Sequence, residues 1–358
     1  MLPPPPLVRR WLWLVAALTA AMVVVGGYVR LSRAGLSIVE WNVITGVIPP
    51  IGEAAWREAF ARYQQSPEGR TVNAAMTLDG YQRIFLYEWF HRLLGRVAGL
   101  AVVVPLAAFL ARGTIPWRRS LPYWGVAAGF GFQGLLGWLM VASGLVDRPS
   151  VSHYRLAAHL LAALALLAAC VWLATMPAST EGRAAAASAP DDVTGSGGPS
   201  ATVAARRLRW LGRTMLLLVV LQIAWGALVA GLKAGHASDT WPLVFGRWVP
   251  DGLFATAPTL WQSLAEVPLG VHWVHRWLAW LVLAAAAALA VAAHRAAAAG
   301  LARTALWLSA LVAVQIALGV AVVVLHVPLH LALFHQATGV AIFTLTMLAY
   351  RRLPPTAT

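Results

Sequence analysis

A chain of 358 residues, 60% of them hydrophobic and only 11% charged, lacks the polar surface of a soluble domain, and its apolar runs are long enough to cross a bilayer. Lipid offers backbone groups no hydrogen-bond partner, and these runs are too long and continuous for barrel strands, so the predicted fold class is an all-α integral membrane protein. The net charge of +14 would suggest nucleic acid in a soluble protein, but here arginines gather at one set of helix ends and most carboxylates at the other. That asymmetry sets topology, excludes a nucleic-acid partner and places both termini in the cytoplasm.

Eight spanning helices are predicted, over 11–28, 85–110, 121–142, 153–175, 211–231, 271–293, 304–325 and 331–350. The first could be a secretory signal, since Arg9 and Arg10 precede it, but it is long and no A-x-A-like site ends it, so it reads as a retained helix. In the outer loop that follows, Trp56, Phe60 and Tyr63 recur at helical spacing with charges between them, which predicts a short helix on the membrane surface. Asp79 followed by Gln82 resembles a capping box for the second span. After the fourth span, a run of Ala, Ser, Gly, Pro and Thr without periodicity reads as a cytoplasmic linker over 176–208, dividing an N-terminal half (1–175) from a C-terminal half (209–358). The single cysteine, Cys170, allows no internal disulfide and no cysteine metal site. Scarce lysine, abundant Arg and Ala and the lack of an amphipathic presequence suggest a bacterial inner membrane.

The halves resemble each other. GGYVRLSRAGLSIVEW (26–41) aligns with GALVAGLKAGHASDTW (226–241), His91-Arg92 with His275-Arg276, and Gln133 with Leu136-Gly137 with Gln315 with Leu318-Gly319. The expected architecture is therefore two four-helix bundles related by a pseudo-twofold axis along the membrane normal.

Four histidines, His91, His159, His275 and His335, each lie just inside the start of an even-numbered span, all on the outer side. An ionisable group inside a membrane is costly unless it is paired or ligating. Neutral imidazole is a standard axial ligand of haem iron, and two pairs at one depth suit two haems. One such histidine alone is as easily an interfacial hydrogen-bonding group; repetition in both halves argues against that. Glu88 shares a helix face with His91 and has His272 as its counterpart, so it reads as a proton-handling group beside one iron only, against an interfacial Glu paired with Arg92 or Arg83. Arg92 and Arg276 are candidates to neutralise haem propionates.

The segment RLSRAGLSIVEWNVITGVIPP, the E-x-x-H-R of Glu88 to Arg92, YRLAAHL around His159, GALVAGLKAGHASDTWP, His275-Arg276 and FHQATG around His335 resemble haem A synthase over nearly the whole membrane portion. The resemblance implies oxidation of the C8 methyl of haem O to a formyl group, by successive hydroxylation to a geminal diol that loses water. It further implies that His91 and His159, with Glu88, serve the substrate haem and that His275 and His335 hold a haem B cofactor, the four histidines being axial iron ligands. Haem O synthase and an unidentified electron donor are the implied partners, and an oligomer is compatible with the pattern. Some bacterial members carry a cysteine pair in the first outer loop; this chain has none there, so it resembles the cysteine-free branch shared with mitochondrial enzymes. The alternative function is a di-haem B electron-transfer protein oxidising quinol, which needs the same four histidines but leaves the porphyrin unchanged. A proton or solute transporter is a weaker third reading, because no interrupted half-helices are evident.

Overall fold

A computed structural model describes residues 3–177 and 199–354. Helices make up nearly all of the regular secondary structure among the described residues: α1 (Pro6–Leu31), α2 (Glu53–Gln64), α3 (Pro67–Arg70), α4 (Leu78–Ala111), α5 (Leu121–Ala142), α6 (His153–Ala174), α7 (Pro199–Gly231), α8 (Leu260–Ala265), α9 (Pro268–Arg295), α10 (Ala299–Val324) and α11 (Leu329–Arg351). Eight of them, α1, α4, α5, α6, α7, α9, α10 and α11, are long and apolar enough to cross a membrane. The protein is a multi-pass, all-α membrane protein.

The starts of two spans differ most from expectation. The second span starts earlier, at Leu78, because the cap is Thr77, whose hydroxyl accepts from the Gly80 N–H at 3.2 Å; Asp79 instead lies in the first turn, where a carboxylate favours the helix dipole. The fifth span starts at Pro199, well inside the stretch read as linker. Arg206, Arg207 and Arg209 end the apolar signal there, yet Ala and Arg are strong helix formers and the helix continues through them. The rest of the expected linker, 178–198, lies outside the described residues.

In the first half α1 packs on α4, α4 on α5, α5 on α6, and α6 back on α1; in the second, α7, α9, α10 and α11 close a ring in the same order. Across the halves α6 meets α7, α1 meets α11, and α6 meets α11. Exchanging each helix for its counterpart leaves this list of neighbours unchanged. One continuous apolar cluster runs through both rings, including Leu12 and Val15 of α1, Leu106 of α4, Leu167 of α6, Met215 of α7 and Leu308 of α10.

Because hydrophobic burial gives little net drive between helices in lipid, polar bonds and close contacts fix how the halves meet. Gln336 of α11 donates to the Val23 carbonyl of α1 at 2.6 Å, and it occupies the space where any Cβ at Gly27 would stand. Arg30, near the C-terminal end of α1, donates to the carbonyls of Ala230 and Gly231 at the C-terminus of α7. At the inner end Arg351 donates to the Thr175 carbonyl at 2.9 Å and lies over the Trp172 ring.

The expected short helix is α2. It packs on the outward extension of α4, with Phe60 and Tyr63 both stacked at 5.1 Å on Tyr81 and Trp56 edge-on to Phe85. Tyr63 accepts from Asn73 at 2.6 Å and donates to Glu68 of α3 at 3.2 Å. Glu68 is only 6% exposed, and burial raises its carboxyl above the ordinary carboxylate range. A carboxyl with a raised folded-state pKa keeps its proton when the unfolded chain has already lost it. Stability therefore falls as pH rises through that interval. Glu68→Gln is expected to stabilise the protein at neutral pH and to flatten the fall of its melting temperature as pH rises above the ordinary carboxylate range; thermal unfolding in detergent at a series of pH values checks it.

Candidate functional site

The helix starts determine where the histidines fall. Ser152 and Pro328 precede α6 and α11, and Pro268 opens α9 at its first position, where a missing N–H costs nothing. His159, His275 and His335 then follow within about two turns of those starts, whereas α4 runs further out, against α2, before reaching His91.

Each imidazole lies against a glycine on a neighbouring helix. A Cβ at Gly26 of α1 would stand 3.1 Å from His91 Cε1, and one at Gly137 of α5 would stand 3.1 Å from His159 Cε1. At Gly226 of α7 and Gly319 of α10 the same distance, to His275 and His335, is 3.0 Å. Any side chain at these four positions would push the ring aside. One turn before three of these glycines stands a glutamine: Gln133, Gln222 and Gln315 donate to the carbonyls of His159, His275 and His335 at 2.9, 3.1 and 2.9 Å. The amides of Gln133 and Gln222 also lie 3.4 Å from the Nε2 atoms of their histidines.

The rings of His275 and His335 have centres 6.4 Å apart. Two in-line metal–imidazole bonds of about 2 Å, with roughly 1 Å from each nitrogen to its ring centre, require a separation of about 6 Å. His91 and His159 lie in the first ring of helices, on α4 and α6. All four rings are partly exposed, yet all four Nδ1 atoms are buried without a hydrogen-bond partner, which leaves Nε2 as the available ligating nitrogen. Of ten such unpartnered buried side-chain atoms among the described residues, eight are these Nδ1 atoms, the Oε1 atoms of Gln133, Gln222 and Gln315, and Nη1 of Arg276. Among the described residues no group of three or more His, Cys, Asp or Glu converges to hold a bare metal ion. Histidines in twos suit a metal that brings its other ligands with it, as haem iron does. The residues fit haem.

Above each first histidine an arginine anchors the outer loop of its own half. Arg92 donates to the Ile38 carbonyl at 2.9 Å and lies over Trp41; Arg276 donates to the Ser238 carbonyl at 3.3 Å and lies over Trp241. Trp89 and Trp273 likewise donate to the Val47 and Trp248 carbonyls. The partners of the arginines differ. Glu88, 3% exposed, takes Arg92 on Oε1 at 2.6 Å and, on Oε2, the Ser37 hydroxyl at 2.7 Å and the Ile38 N–H at 2.8 Å. At the matching place His272 accepts from Arg276 Nε at 3.1 Å, so Arg276 has no carboxylate on it.

A family model described as cytochrome oxidase assembly protein matches residues 9–347. The chain belongs to that family. It is 45% identical to the "Heme A synthase" of Rhodopseudomonas palustris (strain BisB5) over 350 residues, covering 97% of this chain and 91% of the relative. It is 42% identical to the "Heme A synthase" of Sphingopyxis alaskensis over 351 residues, 98% of this chain and 93% of that one. The protein of the same name from Chelativorans sp. (strain BNC1) is 44% identical over 336 residues, 94% and 88% of the two chains.

Sequence reasoning singled out the four histidines, Glu88 and both arginines as candidates, and the structure sets His275 beside His335 and Glu88 on Arg92. It paired Gln133–Gly137 with Gln315–Gly319 but missed Gln222–Gly226 and what the motif does. The signal was there: Gln-x-x-x-Gly occurs once in each of three spans.

Breaking a buried ion pair by removing one partner costs about 3 to 5 kcal/mol, because the other charge is left buried alone. Glu88→Ala is therefore expected to lower the melting temperature and release the segment around Ser37 and Ile38. Faster proteolysis within residues 32–41 would report the release; a protease map like that of the unmodified protein would show that the loop does not depend on this carboxylate.

Proposed function

We propose that the two histidine pairs hold the two haems with which this haem A synthase works: His91 and His159 the substrate haem O, His275 and His335 a resident haem B. The observation that carries this reading is the repeated clamp of imidazole against glycine in both halves, with a ring separation at the second pair that suits one iron between two imidazoles. The enzyme oxidises the C8 methyl of haem O to a formyl group, and a di-haem electron carrier that leaves the porphyrin unchanged is not what its relatives are named for.

Haem B, when bound, supplies one-electron redox capacity beside the substrate. The rest falls to the chain. His91 and His159 orient the macrocycle so that one methyl is presented repeatedly, as two successive two-electron oxidations of one carbon require. Glu88 is the acid nearest a ligating histidine, one turn before His91 on the same face, and takes up or passes on protons released from the methyl carbon. To accept a proton it must loosen Arg92, and the Ser37 hydroxyl on Oε2 gives that proton a way toward the outer loop. Arg276, with no carboxylate partner and a buried unpartnered Nη1, is the better placed arginine for a propionate; the Arg92 charge is already balanced by Glu88.

The two rings of helices serve as one substrate half and one cofactor half, related by a pseudo-twofold axis; the matched neighbours of each helix support this. The Arg-rich ends of α1, α7 and α11 support cytoplasmic termini and insertion in a bacterial inner membrane. The remaining partners of the proposal are a haem O synthase that supplies the substrate and an electron-transfer partner at the outer or inner face.

Co-expression with a source of haem O, followed by haem extraction and chromatography, should yield haem A; recovery of haem B alone would favour the electron carrier. Purified His335→Ala should lack one low-spin haem B signal, and a full unmodified spectrum would refute the second pairing. Glu88→Gln keeps size and hydrogen bonding but removes the titratable proton, so haem B should stay bound while formation of haem A slows by about 10²-fold or more. Unchanged conversion would leave Glu88 as an anchor of the outer loop.

A further inference from the structure

Three of the four histidines are held twice by the neighbouring helix. The glycine presses on the ring, and the glutamine one turn earlier, on the same face, holds the carbonyl of the same residue. The fourth is held once. Gly26 presses on His91, but the position one turn earlier is Met22, which has no N–H to give. Among the described residues no side chain hydrogen-bonds to the His91 carbonyl or ring. Met22 occupies the glutamine's place: its Cε would lie 3.6 Å from a Cβ at Gly95, one turn beyond His91 on α4. In this stretch α1 is tied instead to the other half, through Gln336 and the Val23 carbonyl.

We propose that His91 is the detachable ligand of the substrate site, and that the residue at position 22 sets how readily it lets go. The proposal rests on the reading of His91 and His159 as the substrate pair. A resident cofactor needs two ligands that stay. A substrate haem must enter, react and leave, and a six-coordinate iron clamped from both sides would do so slowly. Here His159 is held by both Gln133 and Gly137, while His91 has the contact with Gly26 and no glutamine on its carbonyl. Gln133, Gln222 and Gln315 are then positioning residues that act through the histidines they hold, and Met22 marks the one site where that restraint is withheld.

The test compares ligand exchange without turnover. Purified protein loaded with haem O is kept ferrous and anaerobic, and two rates are measured: carbon monoxide binding to iron, and haem loss to an excess of a haem-scavenging apoprotein. Met22→Gln should slow both at the haem O site by about tenfold, with Met22→Leu, which restores no donor, behaving as the unmodified protein. Gln222→Met should do the reverse at the second pair, making a tightly held low-spin haem carbon monoxide-reactive and exchangeable. His91→Ala and His335→Ala proteins first assign which pair holds haem O. If haem O is lost with His335→Ala and retained with His91→Ala, the reading of the pairs fails. If haem O sits on the first pair but Met22→Gln and Gln222→Met leave the rates unchanged, or Met22→Leu slows them as much as Met22→Gln, the inference about His91 is overturned and the reading stands.

Discussion

An imidazole carried on one membrane helix can sit flush against the next only where that neighbour has no Cβ. Four contacts of this kind, at Gly26, Gly137, Gly226 and Gly319, set the distance between helices in both halves of this chain. The rest of the arrangement follows from them. Small residues let helices approach, the approach brings a glutamine within reach of a histidine carbonyl, and the histidine ring is left with Nδ1 sealed and Nε2 available. In lipid, a ring displaced by an added methyl group would have no polar alternative nearby, so the glycines constrain the chemistry as tightly as the histidines do.

Both halves share this frame, and they differ in what stands under the matching arginines. Glu88 and His272 stand at matching places under matching arginines, each arginine reaching a carbonyl of its outer loop and lying over a tryptophan. Placing a carboxylate on Arg92 makes that pair neutral and gives the first half a titratable acid one turn from His91. Placing an imidazole on Arg276 leaves a net positive charge buried in the second half, which favours an anionic group of a bound ligand. One difference in a shared frame thus gives the first half a neutral buried pair and leaves the second half a buried cation.

The eight spans were legible because hydropathy alone decides them, and α5 begins and ends where the sequence reading put it. What was not legible depended on contacts between distant segments. The N-terminal extension of α4 carries Asp79 and Arg83, so its apolar signal stops at Phe85; it is helical because Tyr81 and Phe85 are covered by Trp56, Phe60 and Tyr63, which come from a separate helix earlier in the chain. The buried Glu68 looked like any loop carboxylate until α3 folded against Tyr63. Glu88 was visible as an acid beside His91, but its bonds to Ser37 and Ile38, which turn a side chain into the anchor of a loop, cross fifty residues. The glutamines are the instructive miss. Spacing places a Gln and a Gly on one face of a helix; only the neighbouring helix shows that the pair clasps a histidine.

Seen from the clamp, the polarity of the two halves is a matter of how many restraints each histidine carries. His159, His275 and His335 each have a glycine behind the ring and a glutamine on the carbonyl; His91 has the glycine alone. It is also the only one of the four preceded by one turn on its helix by a bound acid, Glu88, whose other oxygen holds the loop at Ser37 and Ile38. Movement of His91 along α4 would therefore be felt by Glu88 and by the loop that Arg92 and Glu88 share, whereas movement of His275 would meet Gln222 first. On the reading proposed above, ligand exchange and proton movement would both fall to one helix, α4, where a single glycine contact and a single carboxylate stand on the same face.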